Sequence, residues 1–230
     1  MLLRGLQKTT LLDFPGQVAC TVFTGGCNFR CPFCHNASLI ENLSSDERLS
    51  EENFFAFLEK RRGLTDGVCI TGGEPLLQKD VLPFVKKIKD MGFLVKLDTN
   101  GSYPDVLKAL ISEGLLDYVA MDVKNAKGAY RETAGTEREI LPAVMESVAF
   151  LKEGHLPYEF RTTVVKGLHT EARMKEIGRW LGDVPRYFIQ NFSDAGEVLS
   201  EGLSGFTPSE LQKLLAAVTP YIPNAKIRGL

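Results

Sequence analysis

The sequence has no apolar run that approaches the roughly 20 residues needed to cross a bilayer. Its first eight residues include Arg4 and Lys8 and lack the long apolar core of a secretory signal peptide. Neither sign of charge dominates, since 27 basic residues stand against 29 acidic ones and the net charge is −2. This balance argues against a general nucleic-acid-binding surface, although it leaves a local basic patch open. We therefore expect a cytoplasmic protein that binds neither a membrane nor a nucleic acid.

Tandem repeats, low-complexity blocks and a Gly/Ser/Pro-rich linker are also missing from the 230 residues. The hydrophobic fraction of 44% and the charged fraction of 24% are ordinary for a folded chain, so the composition does not suggest disorder. A chain of this length can bury a full core. Because no linker divides it, we expect a single domain over residues 1–230.

Cysteines are scarce, and their placement does not suggest a disulfide framework. Three of the five, Cys27, Cys31 and Cys34, fall within eight residues in the pattern C-x3-C-x2-C. Cys20 and Cys69 each lie inside an apolar, strand-like run and are expected to be small buried hydrophobes. The three clustered thiols predict a metal or cluster site.

Short β-branched runs alternate with longer helical patterns along the chain. This alternation predicts βαβ units and hence an α/β fold with a parallel sheet. A barrel or partial barrel competes with an open doubly wound sheet, and the pattern alone does not choose between them. Strands are predicted at 17–24, 67–71, 93–98, 115–123, 158–165 and 186–191, with a candidate last strand at 225–228. Helices are predicted from Ser50 to about 62, Asp80 to about 91, 104 to 113, Thr136 to 153, Thr170 to about 181 and Thr207 to about 218. Ser50, Asp80 and Thr170 are expected to be N-caps, and Thr207-Pro208-Ser209-Glu210 is expected to form a capping box with proline at the first helical position.

Polar or ionisable residues stand at or near the carboxyl end of every one of the six main predicted strands, the edge where both architectures bind ligands. Each has an ordinary alternative, such as a tight turn for Gly72-Gly73 or Asn100-Gly101, a helix cap for Asp98 or Asp122, a solvated surface charge for Lys124, or a structural pairing of Arg161 with an acid such as Glu159. Six such ends at one rim are much harder to explain by chance. The groups are the cysteine loop, Gly72-Gly73-Glu74, Asp98-Thr99-Asn100-Gly101, Asp122-Val123-Lys124, Arg161, and Gln190-Asn191.

Two inorganic groups suit the three thiols. A structural zinc ion would need a fourth ligand, and His35 could complete a Cys3His set. However, Cys34 and His35 are adjacent, whereas zinc ligands usually stand two to four residues apart. A [4Fe–4S] cluster takes four cysteines when fully ligated, so three would leave one iron open to a substrate or cofactor.

The pattern Cys27-x3-Cys31-x-Phe33-Cys34 resembles the C-x3-C-x-aromatic-C motif of the radical S-adenosylmethionine enzymes. It directly follows the first predicted strand, and Gly-Gly-Glu follows the second. The resemblance implies a partial (β/α)6 barrel with a core at about 17–192 and a C-terminal extension at 193–230. It also implies a [4Fe–4S] cluster whose unique iron chelates S-adenosylmethionine.

Further motifs are similar to those of the glycyl-radical-enzyme activating enzymes. These motifs are Asp13-Phe14-Pro15-Gly16, Gly25-Gly26-Cys27-Asn28, Cys34-His35-Asn36, Asp98-Thr99-Asn100-Gly101 and Asp122-Val123-Lys124. Within that group, the Thr-Leu-Leu-Asp-Phe-Pro-Gly opening and the short chain most resemble the activating proteins of anaerobic ribonucleoside-triphosphate reductases. The resemblance implies an oxidoreductase that generates a glycyl radical on a partner enzyme, with reduced flavodoxin or ferredoxin as electron donor.

The resemblance also implies roles for single residues around the cysteines. Cys27, Cys31 and Cys34 would ligate three irons. Phe33 and His35 flank the last ligand and would contact the adenine or sugar side of the cofactor.

The glycine pair after the second predicted strand would serve the amino end of the cofactor. Gly72 and Gly73 lack a Cβ and would let the backbone approach closely. Glu74 would accept a hydrogen bond from the cofactor or pair with a neighbouring base.

Charged residues on later strands would serve the carboxylate and the ribose of the cofactor. Asp122 and Lys124 would face its ribose and carboxylate region, and Arg161 its carboxylate. Asp98, Thr99 and Asp122 would also form a small oxygen-rich cation site, as in the formate-lyase activating relatives.

The chain departs from the formate-lyase activating pattern in two respects. That pattern has a cofactor-contacting histidine at the end of the sixth strand, where this chain has Gln190 and Asn191 as candidate substitutes. The chain also lacks an eight-cysteine insertion, so we expect one cluster and an external electron donor. Remaining alternatives are activation of another glycyl radical enzyme, radical chemistry on a small metabolite, and a non-enzymatic zinc or iron–sulfur protein.

Overall fold

One sheet, in which the strands follow one another in chain order, organises the fold. The computed structural model describes residues 1–41, 48–194 and 198–229, and within them this sheet has eight strands. The first pair of strands is antiparallel and every later pair is parallel. The strands are β1 Leu3–Thr10, β2 Ala19–Thr24, β3 Gly67–Gly72, β4 Leu94–Thr99, β5 Tyr118–Asp122, β6 Tyr158–Val164, β7 Tyr187–Asn191 and β8 Ala225–Arg228.

Helices connect the parallel strands. Right-handed crossovers that always add the next strand on the same side place all helices on one face of the sheet. Such a sheet curls into a partial barrel, whereas a doubly wound sheet reverses its strand order. The α/β partial-barrel prediction is therefore confirmed. The helices are α1 Ala37–Glu41, α2 Glu51–Glu59, α3 Val81–Asp90, α4 Pro104–Ser112, α5 Tyr130–Ala134, α6 Leu141–Lys152, α7 Glu171–Leu181 and α8 Pro208–Val218.

Three of the four predicted N-caps are confirmed. Ser50 accepts a hydrogen bond from the Asn53 amide, and Thr170 caps α7 in the same way. Thr207 forms the expected capping box with Glu210 at the start of α8. Asp80 does not cap α3, because its carboxylate instead pairs with the amino terminus of the chain.

The helix predicted from Thr136 begins five residues later than expected, at Leu141. Its second residue is Pro142, which is tolerated in a first turn but not inside a helix. Residues 136–140 lie outside any helix and follow the short helix α5, which Gly135 ends in the left-handed conformation, at φ +61°.

Strand β1 is absent from the predictions. Its sequence, LRGLQKTT, is too polar and too irregular to show a period-2 pattern. Pairing with β2 is what makes it a strand, and Leu49 bridges to Leu3 on its other side. The fourth predicted strand, at 115–123, is shorter in the structure, at Tyr118–Asp122.

The apolar core lies between the sheet and its helices. Cys20 and Cys69 are both fully buried, as predicted, although Cys69 points toward Lys96 and Asp98 inside the barrel rather than into the apolar core. Across the described ranges, no helix is both long enough and apolar enough for a membrane crossing.

Candidate active site

The cysteine loop, residues 25–36, follows β2 and lies over the carboxyl ends of the strands. Backbone hydrogen bonds fix it to three separate elements. The Gly26 amide donates to the Leu39 carbonyl in α1, the Arg30 amide to Ala134 at the end of α5, and the Glu74 amide to the Gly26 carbonyl, with N–O distances of 2.8–2.9 Å. The loop is therefore held rigidly before any ligand binds.

Two glycines allow this close packing. A Cβ on Gly73 would overlap the carbonyl oxygen of Gly26, and a Cβ on Gly135 would overlap that of Arg30. Gly72 has φ +116°, a conformation that residues with a side chain rarely adopt. The Gly-Gly pair thus serves loop packing in addition to any contact with a cofactor.

One cavity of about 240 Å³ brings together thirteen of the fifteen residues for which the sequence predicts a role in the site. Glu74, which is fully buried, and Asn191 do not line it. The predicted residues that line the cavity are Cys27, Cys31, Phe33, Cys34, His35, Gly72, Gly73, Asp98, Thr99, Asp122, Lys124, Arg161 and Gln190.

A chain of alternating charges forms one wall of the cavity. Arg161 donates to Asp98 at 3.1 Å and to Asp122 at 2.9 Å, so the expected alternative pairing with Glu159 is wrong. Lys124 lies 3.2 Å from the second oxygen of Asp122, and Lys96 pairs with Asp98. Neither aspartate acts as a helix cap.

These cations control the ionisation of the two carboxyls. Burial alone would raise the pKa of Asp122, but Arg161 and Lys124 lower it to about 2. The pKa of Asp98 is likewise lowered, because Arg161 and Lys96 outweigh burial. Both groups are therefore carboxylates at neutral pH, and the wall carries fixed charges of both signs.

Glu74 connects the ends of β3 and β4. One carboxylate oxygen accepts hydrogen bonds from the Thr99 hydroxyl at 2.7 Å and the Leu76 backbone amide at 3.1 Å. The other accepts one from the Asn100 backbone amide at 2.7 Å. Burial raises the pKa of this carboxyl to about 7, against the three donors that favour its ionised form. Both oxygens of Glu74 accept hydrogen bonds from uncharged groups of the protein. These bonds take the place of the expected pairing with a neighbouring base.

Asn100, which looked like a turn residue in the sequence, joins the cysteine loop to β4. Its side-chain amide nitrogen donates to the side-chain oxygen of Asn28 at 3.0 Å and lies 3.9 Å from the Cys27 sulfur. Its carbonyl oxygen accepts from Ser102, whose hydroxyl in turn accepts from Asn28. The first cysteine is thus oriented by a closed set of polar side chains.

The end of β7 separates the two candidates for the missing histidine. Gln190 lines the cavity. Asn191 instead exchanges two hydrogen bonds with the backbone of Phe206, at 2.8 and 2.9 Å, so it fixes the C-terminal segment and leaves the cavity to Gln190. His35 stacks on Phe192 with centroids 5.2 Å apart and contacts the Ser193 carbonyl at 2.8 Å.

Comparison with known proteins decides the family. The model of the Radical SAM superfamily matches residues 21–181, which is more than half of the chain. This chain belongs to the radical SAM superfamily. Members of the superfamily bind a [4Fe–4S] cluster and S-adenosylmethionine.

Three relatives extend the comparison. A protein of Methanocaldococcus jannaschii, provisionally named a glycyl-radical enzyme activating enzyme, is 33% identical over 100% of this chain and 96% of its own length. The pyruvate formate-lyase-activating enzyme of Clostridium pasteurianum is 30% identical over 54% of this chain and 52% of its own. The GTP 3′,8-cyclase of Aliarcobacter butzleri is 26% identical over 86% of this chain and 61% of its own length. The chain is therefore homologous to glycyl-radical enzyme activating enzymes.

Solved structures agree on the fold. A domain of pyruvate-formate lyase-activating enzyme from Bacteroides vulgatus superposes with a TM-score of 0.56 at 19% identity, covering 71% of this chain and 99% of that one. SuiB of Streptococcus suis bound to S-adenosylmethionine gives 0.67 at 15% identity, covering 89% and 48%. At these identities the likeness concerns the radical SAM barrel alone.

The donor set of this radical SAM protein fits a cluster better than a single ion. In the described part of the chain, no group of three or more His, Cys, Asp or Glu side chains is arranged to hold one metal ion. A cubane cluster presents a separate iron to each thiolate, so its three sulfurs need not meet at one point. Burial raises the pKa of Cys27 to about 12 and of Cys31 to about 11, so loading a metal releases their protons.

Sequence reasoning missed several residues of the radical SAM cavity. Thr71 and Thr163 line it, and Asn36, which also lines it, ties the cysteine loop to the Gly72 carbonyl at 3.1 Å. Lys96 left a detectable signal, because it lies two residues before Asp98 in an otherwise apolar strand and must share its face. The hydroxyl residues gave none, since threonine is common in strands.

Proposed function

We propose that this protein is a radical SAM activating enzyme that generates a glycyl radical on a partner enzyme, with an anaerobic ribonucleoside-triphosphate reductase as the first choice of partner. The observation that carries this proposal is the single cavity in which three thiols face the Gly72-Gly73 turn on one side and a charged wall on the other. S-adenosylmethionine that binds a cluster through its amino and carboxylate groups requires thiols for the cluster, a close backbone approach beside the amino group and cations beside the carboxylate.

The cysteines are the proposed ligands of the cluster. Cys27, Cys31 and Cys34 hold three irons, and the fourth iron is left for the amino acid part of S-adenosylmethionine. When bound, the cluster would supply the one electron needed to cleave the C5′–S bond of S-adenosylmethionine, with methionine as the leaving group and a 5′-deoxyadenosyl group that can take a hydrogen atom from the substrate. The clamped cysteine loop keeps the ligands in place for this chemistry.

The other residues of the cavity orient the cofactor. Gly72 and Gly73 present backbone groups to its amino group. Arg161 and Lys124 attract its carboxylate, because a charged donor strengthens a hydrogen bond to an anion. Gln190 takes the place of the absent histidine.

Aromatic and acidic residues complete the proposed binding set. Phe33, 5% exposed, and His35 contact the adenine or sugar side, and Asp122 faces the ribose. Glu74 and Asp98 act through their neighbours. Glu74 positions Asn100 and Thr99, and Asp98 positions Arg161.

The homology supports activation of a protein substrate. The similarity to the Methanocaldococcus jannaschii protein covers both chains nearly end to end. The similarity to the pyruvate formate-lyase-activating enzyme covers about half of each chain, which is why that enzyme type is the second choice of partner. The single cysteine motif supports an external electron donor, flavodoxin or ferredoxin.

Radical chemistry on a small metabolite is the competing function. The similarity to a GTP 3′,8-cyclase favours it, because it extends over 86% of this chain. That relative is longer, and the chain spans 61% of its length. Addition of GTP to the reconstituted protein therefore belongs in the test.

Electron paramagnetic resonance on mixtures with candidate partners tests the proposal. The anaerobically reconstituted, reduced protein is incubated with S-adenosylmethionine and either anaerobic ribonucleoside-triphosphate reductase or pyruvate formate-lyase. A glycyl radical doublet should appear on one partner and should be absent with its radical-site glycine changed to alanine. Stimulation of cofactor cleavage by GTP, with no radical on either partner, would contradict the proposal.

A further inference from the structure

The oxygen atoms expected to bind a small cation are already occupied by the protein. The expected ligands were Asp98, Thr99 and Asp122. Thr99 donates to Glu74 at 2.7 Å and accepts from the Gly101 amide at 3.1 Å. The two carboxylates have four oxygens, and each of the four contacts a side-chain cation. These residues therefore do not fit an alkali-metal ion.

Lys96 is the unusual member of this group. It is 2% exposed, although lysine is almost never buried unless it is paired. Its ammonium pairs with Asp98 and lies 3.6 Å from the Cys69 sulfur. Alternation along β4 places Lys96 and Asp98 on the same face, toward the barrel interior, so the strand itself delivers the cation to the carboxylate.

The charges of this wall also leave no need for an ion. Lys96, Arg161 and Lys124 provide three positive charges against the two carboxylates of Asp98 and Asp122. One positive charge remains, and it is available to the carboxylate of a bound ligand. Without Lys96 the wall would be neutral, and one oxygen of a buried carboxylate would lose its cation.

We propose that the Lys96 ammonium is a built-in cation that takes the place of an alkali-metal ion beside Asp98, so that cofactor binding by this protein does not depend on Na⁺ or K⁺. Lys96 is a positioning residue in this proposal, because it acts on the cofactor through Asp98 and Arg161. The inference rests on the proposed placement of S-adenosylmethionine in the cavity, but not on the identity of the protein partner.

Two substitutions separate the charge of Lys96 from its bulk. Lys96→Ala removes the cation and leaves space beside Asp98 that a K⁺ or ammonium ion can fill. Lys96→Met removes the cation but keeps most of the volume, so it leaves no such space. Lys108→Ala, which breaks the exposed ion pair with Glu146, is the matched control.

Binding of S-adenosylmethionine to the reconstituted, oxidised proteins is measured by titration calorimetry in KCl, NaCl, NH₄Cl or N-methylglucamine chloride at one ionic strength. The wild type and Lys108→Ala should bind equally well in all four salts. Lys96→Ala should bind about tenfold more weakly in N-methylglucamine chloride, because breaking a buried pair leaves an uncompensated charge. KCl or NH₄Cl should restore tight binding of S-adenosylmethionine by Lys96→Ala, whereas Lys96→Met should bind it weakly in every salt.

Thermal unfolding gives a readout that needs no cofactor. The midpoint of Lys96→Ala should rise in KCl relative to N-methylglucamine chloride, and the midpoints of the wild type and Lys96→Met should not. An alkali requirement in the wild type, full binding by Lys96→Ala without K⁺, or equal rescue of Lys96→Met would overturn the proposal. None of these measurements involves a glycyl radical. Failure of the Lys96 proposal can therefore be distinguished from failure of the proposed protein partner.

Discussion

Single side chains decide whether the cysteine loop can carry a cluster. Cys27, Cys31 and Cys34 line one cavity, and His35, which also lines it, stacks on Phe192 and contacts the Ser193 carbonyl. Changing any one of the cysteines to alanine should abolish cluster loading and cofactor cleavage and leave the barrel folded. His35→Ala should keep the cluster. Iron and sulfide content and the visible spectrum after anaerobic reconstitution check both statements, and a His35→Ala protein without a cluster would contradict them.

Gly73 is a second position where one added methyl group should disable the site. In Gly73→Ala the Cβ would overlap the Gly26 carbonyl, so the cysteine loop must move away from β3. We expect a loss of about 1–3 kcal/mol in the free energy of unfolding, as for other overpacked sites, together with impaired cluster loading. Gly128→Ala is the control, because a Cβ there meets nothing within 4 Å. Equal behaviour of the two variants in urea unfolding and iron analysis would refute this explanation.

Glu74 should matter through its hydrogen bonds. In Glu74→Gln one carboxylate oxygen becomes an amide nitrogen, which then faces a protein donor instead of accepting from it. Leaving a buried donor unsatisfied costs about 1–3 kcal/mol of folding stability. Chemical denaturation of the cluster-free protein measures this loss, and Glu176→Gln, on the exposed face of α7, serves as the comparison. A Glu74→Gln protein as stable as the wild type would show that the hydrogen bonds do not hold β3 and β4 together.

The sequence exposed the charged residues of the site better than the neutral ones. A basic residue such as Arg161 inside an apolar strand is costly to bury unless it is paired, so its presence signals a partner or a ligand. The same holds for Lys96 in β4, which is 2% exposed and paired with Asp98. Asn100 and Thr163 gave no such signal, because an Asn-Gly pair is a common turn and threonine is a common strand residue.

Among the secondary structure elements, helices with capping signals were predicted best. The Thr207 hydroxyl accepts a hydrogen bond from the backbone amide of Glu210, and the Glu210 carboxylate accepts one from the backbone amide of Thr207 at 2.7 Å. Thr207→Ala should therefore cost about 1 kcal/mol of unfolding free energy. The matched change Gln212→Ala, on the exposed face of α8, should cost nothing measurable. Thermal denaturation followed by circular dichroism checks the pair, and equal midpoints would contradict the capping role.

Elements that depend on distant contacts were predicted worst. Strand β1 takes its conformation from pairing with β2, and nothing in its own polar sequence requires a strand. The apolar periodicity predicts that helix α6 begins at Thr136. The helix begins at Leu141 instead, which places the proline at its second position. Local patterns specify an element well when its start is encoded by a cap and poorly when a neighbour supplies the constraint.

The chain as a whole combines a sequential strand order with a polar barrel interior. The order β1 to β8 directs every parallel strand end to one rim, and the predicted site residues meet there for that reason. The α/β class followed from the alternation of strands and helices. The choice of a partial barrel needed the strand order, which the pattern did not contain and the family resemblance supplied.

Transfer of deuterium from the partner to the cofactor tests the central claim most directly. The partner enzyme is prepared with glycine deuterated at Cα, and 5′-deoxyadenosine formed by the reduced protein is analysed by mass spectrometry. We predict one deuterium in each 5′-deoxyadenosine molecule that accompanies a glycyl radical. Formation of unlabelled 5′-deoxyadenosine at a rate that the partner does not change would contradict the account.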